Sequence, residues 1–192
     1  MKTINISLVG VGGQGAVLAS NIICEAAMMS GLDVKKNEVH GMAQRGGSVV
    51  SQVRIGDKVH SPLVPDGATD ILVSFEKCEA LRYAHYLAPE GVCYVNNQEI
   101  IPITVATGQA EWPKDIDGEL AKLKNVKVVN ALQEAEKLGN IKTVNVIMLG
   151  TIAASTKEIK KETWIEAVKK LVKPKFLELN LKAFEIGWAM AQ

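Results

Sequence analysis

Residues Gly10 to Gly15 read Gly-Val-Gly-Gly-Gln-Gly, directly after the apolar run Ile4-Asn5-Ile6-Ser7-Leu8-Val9 and before an Ala-rich stretch. A glycine-rich turn therefore joins a predicted strand to a predicted helix, which confines the chain to α/β architectures in which the strand lies inside a sheet and the helix packs over it. Glycine permits the tight turn and close backbone approach, and the helix start leaves N–H groups facing outward, suited to a phosphate or carboxylate.

The helix, predicted over Gln14 to Ser30, is apolar almost all round and needs cover on more than one side, with Gly31 placed to cap it. Leu32 to Val39 reads as a second strand. His40 to Gly47 (His-Gly-Met-Ala-Gln-Arg-Gly-Gly) has no periodicity and reads as a loop, a composition that serves sites and interfaces. Ser48 to Ile55 alternates, with Val49, Ser51, Val53 and Ile55 on one face, and meets Gly56-Asp57 before Lys58-Val59-His60. That pattern predicts a strand, a tight turn and a returning strand, hence an antiparallel hairpin.

Beyond Pro62, Pro65 and Gly67, Asp70 to Phe75 is a continuous apolar strand of the kind parallel sheets bury. A helix over Glu76 to Leu87, stopped by Pro89 and Gly91, leads to a strand at Val92 to Val95; Ile100 to Leu123 carries the weakest regular signal. Asn125 to Asn130 restores a strand and Ala131 to Leu138 a helix. Thr143 to Ser155 is a helix apolar on nearly every side, although Asn145 and Thr151 interrupt it. Two amphipathic helices close the chain. The first carries Trp164, Ile165, Val168, Leu171 and Val172 on one stripe, with Thr163 and Glu166 at capping-box spacing; the second repeats Leu177, Leu181, Phe184 and Trp188 after Pro174. The order predicts one three-layer, Rossmann-like α/β domain over residues 1–192, its sheet mostly parallel with an antiparallel hairpin. The two nearly all-apolar helices further predict a sizeable apolar interface with another chain or a second copy.

Lys and Arg (22) balance Asp and Glu (21), so nothing draws the chain to nucleic acid or an anionic membrane. The longest apolar stretch, Val144 to Ala154, falls far short of the roughly 20 residues of a membrane span. Met1-Lys2 passes straight into a strand without a signal-peptide pattern, and a cytoplasmic location is expected. Cys24, Cys78 and Cys93 lack the close spacing of metal and iron–sulfur motifs and read as buried free thiols, with no metal site on this chain.

A Gly-x-Gly-x-x-Gly turn by itself suggests a dinucleotide, in which case an acidic residue ending the second strand binds the ribose. Glu38 is the one candidate at that separation, and a stand-alone NAD-binding protein is one alternative. No constellation for hydride transfer accompanies it: of the histidines, only His40 lies in a loop suited to chemistry. No serine sits in a nucleophile elbow, and no cysteine in a predicted helix has a nearby histidine. Glu76 and Glu79, one helical turn apart, read equally as an acid–base pair or as a solvated helix face. No catalytic residue is assigned.

The turn taken together with Glu38-Val39-His40-Gly41-Met42-Ala43-Gln44-Arg45-Gly46-Gly47-Ser48-Val49 resembles the gamma domain of 2-oxoacid:ferredoxin oxidoreductases, in particular their arylpyruvate-acting branch. The likeness continues through Val53-Arg54-Ile55-Gly56, Ser74-Phe75-Glu76, Glu79-Ala80-Leu81-Arg82-Tyr83 and Asn180-Leu181-Lys182-Ala183-Phe184. It implies a division of labour: a larger alpha subunit carries thiamine diphosphate (TPP) and iron–sulfur (Fe-S) clusters, decarboxylates the 2-oxoacid, passes electrons to ferredoxin and delivers the acyl group to coenzyme A (CoA). A pyruvate, 2-oxoglutarate or branched-chain 2-oxoacid enzyme is the alternative within the family, because specificity resides in the partner. On this resemblance Gly12, Gly13, Gln14 and Gly15 admit either the partner backbone or the phosphates of CoA, and Arg45 supplies positive charge. Glu38, His40, Gln44, Gly46, Gly47 and Ser48 complete the loop lining. The other reading of Gln44 and Arg45 is that they hold the loop to its own sheet. The chain is expected to be inactive alone, and a homodimer formed without the partner would use the same surface.

Overall fold

The computed structural model describes residues 1–41 and 46–192. Its centre is a six-stranded sheet in the order β2-β3-β1-β4-β5-β6, built from β1 (Ile4–Val11), β2 (Asp33–His40), β3 (Ser48–Gly56), β4 (Thr69–Ser74), β5 (Leu87–Asn96) and β6 (Val126–Val129). β1, β4, β5 and β6 pair in parallel, while β3 is antiparallel to both β1 and β2, so β3 alone runs against the rest.

Alternation along the strands sends side chains to two cores. Ile6, Leu8, Val53, Ile55, Ile71, Val73 and Tyr94 face the larger one. It is covered by α1 (Ala16–Met29), α5 (Ala131–Lys137), α6 (Val144–Ser155), α7 (Lys161–Leu171) and α8 (Leu177–Ala191). Val9, Val50, Leu72, Cys93 and Val95 face a smaller core closed by α2 (Lys77–Arg82) and α4 (Ile116–Ala121), with α3 (Ile103–Ala106) between those helices in sequence. Helices on both faces of the sheet make the three-layer α/β arrangement that the element order predicts. No described helix is long and apolar enough to cross a membrane.

The hairpin lies elsewhere than predicted. Lys58–His60 forms no strand, because both edges of β3 are already taken: Ile55 pairs with Ile4 on one side and with Val34 on the other. Val59 is instead buried, and its N–H donates to Asp33 Oδ2 at 2.8 Å. The helix expected over Glu76 to Leu87 ends at Arg82, and β5 already starts at Leu87, with Pro89 and Gly91 inside the strand. Gly91 lies at a shift in the β4–β5 register, where a Cβ would stand 2.6 Å from the Thr69 carbonyl oxygen. The capping box is also absent. α7 is capped at Lys160, so Thr163 falls within the first turn, and Glu166 pairs with Lys169 at 2.7 Å.

Every residue from Val144 to Ala153 of α6 is buried, and the cover comes from this chain itself. α8 crosses α6 where Gly150 meets Gly187: a Cβ at Gly187 would collide with the Ile147 carbonyl, and one at Gly150 with the Phe184 carbonyl. α7 similarly lies over α1, with Trp164, Ala167 and Val168 buried. The apolar character of α6 is therefore spent on internal packing, whereas α1 leaves Val17, Met28 and Met29 exposed.

Backbone cannot yield at that crossing as a side chain can, so Gly187→Ala is expected to cost about 3 kcal/mol, the upper range of overpacking penalties. It should lower the urea midpoint with an unchanged slope. The thiols give a second expectation. Burial pushes Cys24 up to about 11 and Cys93 to about 12 from an ordinary 9.0. The unfolded chain thus ionises both near pH 9 while the native chain keeps them neutral, so their contribution is intact below pH 9 and lost as pH rises towards 11 and 12. Urea midpoints between pH 8 and 11 should fall more steeply for the wild type than for a Cys24→Ala/Cys93→Ala variant.

Candidate functional site

The turn between β1 and α1 is closed by the side chain of Gln14. Its Oε1 accepts from the Val11 N–H at 2.8 Å, and its Nε2 donates to the Phe75 carbonyl at 3.0 Å and towards Gln98 Oε1 at 3.4 Å. Asn96 extends the network: Nδ2 donates to the same Phe75 carbonyl and to Gln98 Oε1, both at 3.1 Å, and Oδ1 accepts from the Leu132 N–H at 3.2 Å. The carboxyl ends of β1, β4 and β5 are thereby tied to the turn. Gly10 makes room for this fold-back, since a Cβ there would lie 2.7 Å from Gln14 Oε1 and 2.9 Å from Phe75 Cβ. Gly13 (φ 103°) and Gly15 (φ 86°) occupy the left-handed region. At Gly15 a Cβ would also meet Asn145 Nδ2 at 2.6 Å.

The second marked loop touches the first directly. The Gly12 N–H donates to the Gly47 carbonyl at 2.8 Å, and the Gly41 N–H to the Ser48 carbonyl at 2.9 Å. Gln44 and Arg45 lie outside the described residues. His40 lines a cleft of about 310 Å³ with Gly12, Gly13, Gly15 and Val17. Beside it, Glu38 pairs with Lys36 at 2.7 Å, and Lys36 also reaches Asn21 Oδ1 at 2.6 Å. His40 Nε2 lies 3.7 Å from Glu38 Oε1.

Ser48 and Gly46 belong to a separate pocket on the opposite face, with Glu76, Glu79 and Arg82. Ser48 Oγ donates to Glu79 Oε2 and lies 3.0 Å from the Tyr83 hydroxyl, while Arg82 Nε holds Glu79 Oε1 at 2.7 Å. Glu76 and Glu79 are both buried, so neither stands on a solvated helix face. Glu76 caps α2 by accepting from the Cys78 and Glu79 N–H groups, and burial holds its carboxyl above the usual range. Glu79 is engaged by Ser48 and Arg82. Glu79 thus clamps the start of β3, and Glu76 the start of α2.

The predicted residues thus divide. Gly12, Gly13, Gly15 and His40 line one cleft, with Glu38 beside His40; Gly46 and Ser48 line the other pocket; Gly47 joins the two loops. Among the described residues the N–H groups of Gly13, Ala16, Val17 and Leu18 find no acceptor, and they crown the N-terminus of a 14-residue helix. What such a cleft can do is bind an anion. Asn96, Gln98 and Asn145 were not singled out by sequence as site residues. Their one signal is Asn145, a lone amide at the start of an apolar helix. No group of three or more His, Cys, Asp or Glu among the described residues could hold a metal ion.

Residues 5–190 match the pyruvate ferredoxin/flavodoxin oxidoreductase family, and the chain belongs to it. It is similar to indolepyruvate oxidoreductase subunit IorB of Archaeoglobus fulgidus, at 44% identity over 98% of this chain and 95% of that protein. The same subunit of Thermococcus kodakarensis is 39% identical over 97% of this chain and 95% of that protein. Among solved structures, the gamma subunit of a keto/oxoacid ferredoxin oxidoreductase from Geobacter sulfurreducens is 27% identical, covers 98% of both chains and superposes with a TM-score of 0.74. The chain is thus a small subunit of the ferredoxin oxidoreductase type.

Replacing Gln14 removes the partner of the Val11 N–H and of the Phe75 carbonyl together. Gln14→Leu is expected to cost about 1–3 kcal/mol, the penalty of orphaned polar groups. The readout is the urea midpoint, with Gln14→Glu, which keeps the Val11 acceptor but loses the donor, falling between the two.

Proposed function

We propose that this chain is the small, gamma-type subunit of an indolepyruvate:ferredoxin oxidoreductase. The complex carries out CoA-dependent oxidative decarboxylation of arylpyruvates to aryl-acyl-CoA, with electrons passed to ferredoxin. The full-length similarity to subunits named for indolepyruvate, at 44% identity, is the observation that carries this reading. The thiamine diphosphate and iron–sulfur clusters belong to the larger alpha subunit, which supplies decarboxylation and electron transfer.

This chain contributes a binding surface. The N–H groups of Gly13, Ala16, Val17 and Leu18, which have no acceptor among the described residues, stand at the positive end of α1 and receive a phosphate of coenzyme A, to which Arg45 supplies positive charge. The cleft is lined by glycine and aliphatic side chains with His40 at its edge, so the chain orients the acceptor and excludes water without itself attacking the substrate. Gln14, with its amide engaged by its own backbone, holds the turn in shape and does not reach the ligand.

The isolated chain is expected to show no reduction of ferredoxin with indolepyruvate and coenzyme A, and activity should appear on adding the large subunit. In that complex Arg45→Ala should raise KM for coenzyme A by about 10-fold or more, the worth of a charge-assisted hydrogen bond. Gel filtration reports assembly separately. Unchanged KM and unchanged assembly would assign Arg45 to the loop's own support and remove it from the site.

A further inference from the structure

Asn145 stands in the first turn of α6, 5% exposed, in a buried run that is otherwise almost entirely apolar. Thr151, the other polar side chain of that run, is satisfied by donating to the Met148 carbonyl at 2.7 Å. Asn145 is not satisfied in the same way. Among the described residues its Oδ1 has no hydrogen-bond partner, and α6 starts without a side-chain cap. A buried amide oxygen without a donor works against stability, so such a group asks for a reason. The one polar contact of the side chain supplies it: Nδ2 donates to the Gly15 carbonyl at 3.4 Å. Turning the amide over would set oxygen against oxygen, so that contact also fixes which atom is the nitrogen.

The amide therefore supports the glycine turn from the side of α6. Gly15 precedes α1 with φ 86°, and a Cβ there would stand 2.6 Å from Asn145 Nδ2 and 3.0 Å from its Cγ. The Gly15 carbonyl belongs to the same planar peptide unit as the Ala16 N–H, and in a trans peptide the two point in opposite directions. Holding the oxygen thus sets the direction of the N–H. Ala16 lines the His40 cleft, and its N–H is one of the donors left without an acceptor among the described residues. Within α1 the Gly15 oxygen accepts only from the Ala19 N–H, at 3.2 Å. Asn145 adds a second donor from a helix buried over Val144 to Ala153.

We infer that Asn145 is a positioning residue for the anion: its amide nitrogen aims the Ala16 N–H, and the orphaned oxygen accompanies that donor. The inference rests on the coenzyme A reading above. An apolar side chain at this place would suit the core better but could not hold the peptide unit.

The test uses the complex with the large subunit and two variants that lose the same donor but differ in bulk, Asn145→Leu and Asn145→Ala. Each should raise KM for coenzyme A about threefold or more, the worth of one neutral hydrogen bond, with kcat unchanged. The rise should be alike in both even where their melting temperatures differ, because packing follows bulk and the lost donor does not; either variant that folds suffices for the comparison with wild type. A KM equal to wild type, a rise confined to the less stable variant, or a fall in kcat matching the rise in KM would overturn the inference and leave Asn145 a packing residue. In the wild-type complex coenzyme A should protect the Ala16 amide from hydrogen exchange. Lack of that protection would overturn the coenzyme A reading and this inference together, whereas protection with KM equal in wild type and variants would overturn this inference alone.

Discussion

The amide of Gln14 is the contact on which the arrangement of the site depends. By accepting from Val11 and donating to Phe75 it fixes where β1 ends and how far α1 stands from the end of β4. Gly10 is glycine because that side chain must fold over it, and Gly15 because Asn145 must approach. With these constraints met inside the chain, the turn is already shaped before any ligand or partner arrives. Among the described residues the backbone donors of the first turn of α1 are left without acceptors, and they form the surface proposed to receive negative charge.

Topology explains why the two marked loops meet. Because β3 runs against its neighbours, the connection from β2 to β3 returns at the carboxyl ends of β1 and β4, where the Gly12–Gly47 hydrogen bond fastens it to the turn. The reversal also decides which residues share the cleft. His40 ends β2 on the side of α1, while Ser48 begins β3 turned towards α2 and is held by Glu79. A loop that runs through one sequence motif therefore serves two pockets on opposite faces of the sheet.

Much of this was legible in the sequence, for definite reasons. Alternation of Val49, Ser51, Val53 and Ile55 reports β3 correctly because each face of the strand meets a core of its own. What periodicity cannot report is which strands become neighbours, so alternation predicts a hairpin at Gly56-Asp57 although the partners of β3 are β1 and β2. Glu76 and Glu79 carry no sign of burial in their spacing; they are buried because a serine from the start of β3 and the backbone of their own helix need them as acceptors. Asn96 and Gln98 are likewise silent, since their role arises from contacts with residues far away in the chain. The sequence assigns the glycines to a tight turn and to close approach by a ligand or another backbone, whereas at Gly10 and Gly15 the close approach is made by this chain's own side chains.

Two properties define the account: a turn held from within, and donors left for something from without. Hydrogen–deuterium exchange along residues 10–18, in the isolated chain and in the complex with the large subunit and coenzyme A, tests both at once. The account predicts that the Val11 and Gly12 amides are protected already in the isolated chain, whereas those of Gly13, Ala16, Val17 and Leu18 exchange fast and become protected only in the assembled, coenzyme-bound complex. Protection of that second group in the isolated chain, or its persistent fast exchange in the loaded complex, would contradict it.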